Sequence, residues 1–339
     1  MKPVSTSTFI KAIILSSILL AAPCFAASPD NAASAMKSQA DSFLAGLPPG
    51  MQKSQASAIA AAIAGDHSGL QAIRKSRDIP AAIPPEVQDT MISPTMKLYT
   101  PAGMQSTVMP LLIYLHGGGW TFGSINSCAR FCCSMAATGK VKVLAVDYRL
   151  APEHPYPNGL EDCMDAVSYA HTHAEELNID PAHITIGGDS SGGNLAIATA
   201  LSAKCQGLIE SMVLFYPVTK AFADGSDSWE RYAEGYALDA SLMEQFNKAY
   251  IRERTSYIPS VDVGTLPPDS LMQLPRTLLI SAGRDILYSQ GKEFAQKAPK
   301  DKITFIEFTD AVHLFITVPG QDEAFAQAVK LASDFITQP

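Results

Sequence analysis

Ile184-Thr185-Ile186-Gly187-Gly188-Asp189-Ser190-Ser191-Gly192-Gly193-Asn194 is the stretch that decides the fold of this chain. Residues 184–187 predict a strand, and a helical pattern starts at Ser191 and runs to Lys204. Between them lies Gly-x-Ser-x-Gly at 188–192, in the setting where the pentapeptide carries chemistry: a strand that turns sharply into a helix. Bulky side chains would clash at so tight a turn, which accounts for the flanking glycines. Such a turn holds the Ser190 hydroxyl above the end of a sheet, with the backbone N–H of Ser191 directed towards it. In an arbitrary Gly-rich loop the same pentapeptide means little; the strand and helix on either side make it specific.

Around this turn, further strands are expected at 111–115, 141–147, 212–216, 277–282 and 303–308. Most are unbroken aliphatic or β-branched runs, as in strands buried on both faces. Helical patterns separate them at 160–177, 191–204, 290–297 and 323–336; in the first, Leu160, Met164, Val167 and Ala170 fall on one face. Strand and helix alternate over more than 200 residues. This predicts an α/β protein with a mostly parallel central sheet flanked by helices. One segment, 219–268, has no clean strand and gathers Phe222, Trp229, Tyr232, Tyr236, Phe246 and Tyr250, so a helical insertion is expected there. Residues 28–80 are Ala-, Ser- and Gln-rich with helical spacing at 36–44 and 55–63, and a Pro-rich connector follows at 79–85. The two helical segments together are expected to cap a sheet domain within 27–339.

A serine nucleophile needs a base, and the base needs a carboxylate to orient it. Asp285 follows the strand at 277–282 and His313 follows the strand at 303–308. The chain order Ser190, Asp285, His313 is the Ser–acid–His order of this turn's usual fold, and each residue ends a strand on one edge of the sheet. Asp310 and Glu307 are rival acids, but they lie on the same loop and strand as His313. His67, His171, His173 and His183 read as surface or core-satisfied rings. The strand at 111–115 ends in His116-Gly117-Gly118-Gly119-Trp120. It lacks the Gly-Lys-Ser/Thr of a phosphate loop, and no Gly-x-Gly-x-x-Gly follows a strand, so nucleotide binding has no support. The amides of Gly117 and Gly118, with that of Ser191, are instead expected to face an oxyanion, each donor being worth about 2.7–4 kcal/mol of barrier. Trp120, Phe122 and the aromatics of 219–250 are candidates for a pocket wall, with ordinary lid packing the favoured role for most of them.

His116–Trp120, the run DYRLAPEHPYP at 147–157 and GDSSGGNLA at 188–196 together resemble the hormone-sensitive-lipase family of α/β-hydrolases. The resemblance covers about 90–339. It implies an α/β-hydrolase fold and a carboxylesterase acting on short- to medium-chain esters through an acyl-enzyme. Ser190 would be the nucleophile, His313 the base and Asp285 the acid, with Gly117, Gly118 and Ser191 as oxyanion hole. Asp147, Arg149 and Glu153 would brace loops beneath the site. The acid loop departs from the family's Asp-Pro-Leu-x-Asp, reading Asp285-Ile286-Leu287-Tyr288-Ser289. The base loop reads His313-Leu314-Phe315 where the family commonly has His-Gly-Phe, which puts Leu314 and Phe315 among the candidate pocket residues. No metal or cofactor is required. Two rivals stay open: an amidase or peptidase-type serine hydrolase, and a non-catalytic binding module on the same fold. Matched amide and ester substrates separate the first, and retention of His313 speaks against the second.

Composition fits this picture. The chain has 339 residues, a formal charge of −8 and 47% apolar residues, enough for a large core and no sign of disorder. The acidic balance excludes a basic nucleic-acid stripe. The start of the chain reads as an export signal: Lys2 and Lys11, an apolar run at 12–22, then Pro23-Cys24-Phe25-Ala26, with cleavage expected after Ala26. That run is too short to span a bilayer, which needs about 20 residues, and Pro23 fits lipidation at Cys24 poorly. The expected product is periplasmic or secreted, with 313 residues, a charge of −10, no membrane anchor, a small-molecule ester as partner and five cysteines. Cys128 and Cys132, four apart on a predicted helix, read as small buried residues more readily than as a disulfide. No Cys-x-x-Cys suggests a zinc site.

Overall fold

A computed structural model describes residues 29–252 and 258–338; the expected signal at 1–26 lies outside them. Three helices lead the described chain: α1 (Pro29–Gly46), α2 (Met51–Ile63) and α3 (Ser68–Arg77). Then come β1 (Val87–Ser93), β2 (Met96–Pro101), β3 (Met109–Leu115), α4 (Ile125–Ala137) and β4 (Lys142–Val146). They are followed by α5 (Asn158–Thr172), α6 (Ala174–Leu177), β5 (Ile179–Asp189), α7 (Ser191–Ala200) and β6 (Ser211–Phe215). Helices α8 (Asp227–Arg231), α9 (Ala240–Ile251) and α10 (Pro268–Leu271) precede β7 (Arg276–Arg284), α11 (Tyr288–Lys297), β8 (Ile303–Val312) and α12 (Asp322–Thr337).

The eight strands form one sheet in the order β1-β2-β4-β3-β5-β6-β7-β8. From β4 to β8 every pairing is parallel, and only β1–β2 and β2–β4 run antiparallel. The unbroken aliphatic run of β3 has a direct cause in the two-residue period of a strand. Leu111, Ile113 and Leu115 point into one core layer with Leu160 and Val167 of α5 and Leu195 of α7. Leu112 and Tyr114 point into the other, with Phe131 of α4 and Phe325 of α12. Neither face of β3 meets water, so no alternation is visible in its sequence.

The six expected strands are all present. β1 and β2 were not foreseen: β1 is an edge strand, with only Val87 of its seven residues buried. It lacks the continuous apolar run that marks the others. Helix α3, with Leu70 as its single buried residue, escaped for the same reason. The expected helix at 160–177 is broken at His173 into α5 and α6. Within the described part of 219–268 there is no strand, and α9 packs against α2. Helix α1 lies apart from that pair, against β8 and α12.

Candidate active site

The turn at Ser190 is as tight as its sequence demands. Ser190 has φ +53° and ψ −119°, an unusual conformation for a residue with a side chain. Its amide donates to the Phe215 carbonyl at 3.0 Å, and its carbonyl accepts from Val218 at 3.0 Å, so strand β6 and the following loop hold it. A Cβ on Gly192 would sit 2.0 Å from the Leu115 carbonyl oxygen, and one on Gly188 would lie 2.5 Å from the backbone of Gly192. No larger residue fits at either place.

Ser190, Asp285 and His313 follow or cap the C-terminal ends of β5, β7 and β8, and the structure brings them into one line. Ser190 Oγ lies 3.1 Å from His313 Nε2, and His313 Nδ1 lies 2.6 Å from Asp285 Oδ2. The second carboxylate oxygen of Asp285 accepts the Leu287 N–H at 3.0 Å, which fixes the plane of the carboxylate. All three residues are nearly enclosed, at 6%, 1% and 2% exposure respectively, so the line is shielded from bulk water. The Tyr216 ring packs against the His313 ring, with centroids 4.4 Å apart. The rival acids are elsewhere: Glu307 bonds the Tyr288 hydroxyl at 2.5 Å, and Asp310 has no hydrogen bond to His313. Of the other histidines, His183 pairs with Asp180 at 2.9 Å on the surface, and His173 stacks on Tyr169.

The glycine loop corrects one expectation. The Gly117 N–H donates to Asp189 Oδ1 at 3.0 Å, so it is turned away from Ser190 and is not an oxyanion donor. Asp189 Oδ1 also accepts the Tyr114 hydroxyl at 2.9 Å. Burial raises the Asp189 carboxyl above its ordinary value, against the opposing pull of Tyr114. Burial likewise pushes the Tyr114 and Tyr216 phenols well up, so both hydroxyls keep their protons. In the glycine loop the amides of Gly118 and Gly119 have no protein acceptor among the described residues, and neither does that of Ser191. Ser191 opens helix α7, whose free amides and dipole favour negative charge at that point. The signal for the correction was in the motif itself, because the residue before Ser190 is a buried aspartate that must find donors.

His116 is fully buried. Its Nδ1 lies 2.9 Å from the Gly117 carbonyl, and its Nε2 lies 3.9 Å from Asp147 Oδ1. Burial lowers its pKa despite the nearby Asp147 carboxylate. Asp147 accepts the Ile125 N–H at 2.7 Å and so holds the start of α4 behind the glycine loop. Arg149 grips Asp162 and Asn158. Glu153 takes both terminal nitrogens of Arg74, at 2.8 and 3.0 Å, while Arg74 Nε donates to the Thr121 carbonyl at 2.7 Å. Sequence reasoning missed Arg74, which ties α3 to the loop after the glycines.

The candidate pocket residues prove to be packing. Trp120 stacks on Tyr250 with ring centroids 4.5 Å apart, Phe122 meets the edge of Phe246, and Phe315 is enclosed by Phe215, Tyr216 and Phe308. These three rings are core rather than pocket wall, because a neighbouring aromatic covers each. Leu314 is half-buried and packs beside α1. A cavity of about 970 Å³ lies instead beside α2 and α9, where Ile63, His67, Glu153, Lys248 and Arg252 line it. The five described cysteines are free and buried; the Cys128 and Cys132 sulfurs are 3.8 Å apart. Among the described residues no cluster of His, Cys, Asp or Glu could hold a metal, and no helix is long and apolar enough to cross a membrane.

A profile of the family described as alpha/beta hydrolase fold matches residues 112–317. An arylesterase of Saccharolobus solfataricus is 33% identical over 66% of this chain and 73% of its own. A carboxylic ester hydrolase of Mycobacterium tuberculosis is 33% identical over 58% of this chain, which spans only 54% of that relative's length. Among solved structures, an esterase of Rhizomucor miehei matches 79% of this chain and 90% of its own with a TM-score of 0.69 and 27% identity. A thermostable esterase of Pseudomonas putida matches in fold, with a TM-score of 0.74 at 22% identity over 88% of this chain and 94% of its own.

Proposed function

The chain belongs to the α/β-hydrolase fold family, in its hormone-sensitive-lipase-like branch, and from that premise we propose that it is a serine carboxylesterase. The observation that carries this reading is the line Ser190–His313–Asp285, with its 3.1 and 2.6 Å contacts. Ser190 attacks the ester carbonyl while His313 Nε2 takes its proton. Asp285 accepts a hydrogen bond from Nδ1–H, without taking the proton, and so keeps the imidazole in the tautomer with a free Nε2. The tetrahedral oxyanion forms beside the amides of Gly118, Gly119 and Ser191. His313 then returns its proton to the leaving alcohol, and water attacks the acyl-Ser190 ester by the same route in reverse.

Helices α2, α3 and α9 act as a cap, since Phe246 of α9 lies directly over Gly119. The preference for short to medium acyl chains and the export of the chain, with cleavage after Ala26, rest on resemblance and on the first 26 residues. A chain-length series of chromogenic esters, run with Ser190→Ala alongside, tests the reading: turnover should be highest with short to medium chains and vanish in the variant. Equal turnover of matched amides would move the assignment to an amidase. Mass measurement of the exported protein's N-terminus tests the cleavage site.

A further inference from the structure

The loop that carries His313 is held in an unusual backbone. Leu314, its neighbour, has φ +73°, which an L side chain enters only against steric resistance. Such a conformation persists only where its surroundings fix it. Within the loop, the buried Gln321 amide accepts from Val312 N–H at 3.0 Å and donates to the Val312 and His313 carbonyls at 3.2 and 3.1 Å. The Tyr216 hydroxyl accepts from Ile316 N–H at 3.2 Å.

Outside the loop, the support comes from α1. The Leu314 side chain packs against a small apolar cluster of Ala40 and Phe43 from α1, with Ala237 and Val312. Helix α1 is pinned over this spot by independent contacts. Arg284, the residue before Asp285, donates to Asp41 at 2.7 Å. The Glu323 N–H donates to Gln39 Oε1 at 2.8 Å. Phe43 also lies so close to Gly320 that a Cβ there would be 3.1 Å from its ring.

We propose that helix α1 is a strap that holds the His313 loop in its working conformation, with Leu314 and Phe43 as the positioning residues through which it acts. The inference rests on the triad reading above. A turn that needed only a positive φ would be served by glycine. Leucine adds a side chain that joins an apolar cluster drawn from α1 (Ala40, Phe43 and Leu44), Leu47, Tyr236, Ala237 and Val312. Without that contact Leu314 relaxes towards negative φ and rotates the peptide that joins it to His313. The imidazole then leaves its line to Ser190, while the acyl and alcohol contacts of the substrate are untouched. The loss therefore falls on kcat and not on KM.

The test measures kcat and KM with a chromogenic ester for Phe43→Ala, Phe43→Leu, Leu314→Gly and the Phe43→Ala/Leu314→Gly double variant. Folding is checked by circular dichroism, and Ser38→Ala on the exposed face of α1 serves as control. Leu314→Gly needs no strap, because glycine is at ease at positive φ. The expected result is a loss in kcat of about 10- to 100-fold in Phe43→Ala, with KM changed by less than about twofold, while Leu314→Gly stays within about threefold of the parent. Phe43→Leu should recover most of the rate, and in the Leu314→Gly background Phe43→Ala should cost less than about threefold. A folded Phe43→Ala that keeps kcat within about twofold of the parent, or an equal loss from Phe43→Ala in both backgrounds, overturns the strap. Ser190→Ala separates the two readings: if it abolishes turnover while Phe43→Ala stays fast, only the strap falls. If Ser190→Ala stays active, the triad reading falls first.

Discussion

Asp285→Asn is a nearly isosteric change whose consequence follows from two hydrogen bonds. In the parent, Asp285 Oδ2 faces His313 Nδ1 at 2.6 Å and Oδ1 accepts the Leu287 N–H at 3.0 Å. An asparagine has one acceptor and one donor to place at these two positions. Leu287 can only donate, so it claims the amide oxygen. The amide NH2 must then face Nδ1. The flipped rotamer sets donor against donor at Leu287 and leaves a buried N–H unpaired, which costs about 1–3 kcal/mol. With a donor at Nδ1, the neutral imidazole carries its proton on Nε2 and cannot accept the Ser190 proton. The same exchange in a Ser-His-Asp triad costs about ten-thousandfold in kcat, or roughly 5.4 kcal/mol of barrier at 1.36 kcal/mol per tenfold. Asp285 is enclosed, so no water can take over its role. Steady-state kinetics on an activated ester, with a thermal melt to show an intact fold, measure the effect. A variant that keeps more than about a tenth of the parent kcat would refute the assignment of Asp285 and return attention to Glu307 or Asp310.

Other consequences follow from single contacts. Gly119→Ala places a Cβ 2.1 Å from the Phe246 ring at φ +60°, so it should lower both kcat and the melting temperature, read in parallel by kinetics and calorimetry. Tyr216→Phe leaves the Ile316 N–H without its acceptor and should cost about 1–3 kcal/mol in denaturant unfolding. Burial pushes Glu153 up, but the hydrogen bonds and charge of Arg74, with a backbone hydrogen bond and the charge of His67, together outweigh this and hold its pKa below the ordinary value. The pair therefore contributes stability above about pH 4.5, which is lost as pH falls through the lower folded value. Glu153→Gln should flatten the acid limb of a melting-temperature profile, and an unchanged limb would show the pair to be idle. Thiol titration should find no fast-reacting cysteine in the native protein, since all five described thiols are buried. In denaturant it should count five if the chain is processed after Ala26 and six if it is not.

Much of the fold could be read before any coordinates because the central strands are buried on both faces. Their sequences are continuous apolar runs that no other element imitates at that length. β1 and β2 lack this signature: β1 is mostly exposed or half-buried, and β2, though largely buried, is interrupted by Lys97, Thr100 and Pro101. The line of Ser190, Asp285 and His313 was legible through topology: a parallel sheet delivers strand ends to one edge, and each of the three follows or ends a strand. What the sequence could not supply was the direction of individual groups. Three consecutive glycines offer three amides, and only the buried carboxylate of Asp189 reveals that Gly117 is already engaged. Aromatic residues near a motif are equally ambiguous. Trp120, Phe122 and Phe315 are each covered by another ring, a pairing between distant segments that no local pattern encodes. The exposed helix α3 hid Arg74 for the opposite reason, because one buried leucine does not make a visible face.

The acyl-enzyme on Ser190 is the centre of the account, and pre-steady-state kinetics test it most directly. The parent, mixed with excess of an activated ester, should release a burst of alcohol equal to the enzyme present and yield an acylated peptide that contains Ser190. Ser190→Ala should show neither burst nor adduct. A full burst in Ser190→Ala, or an acyl group trapped on any other residue, would contradict the account.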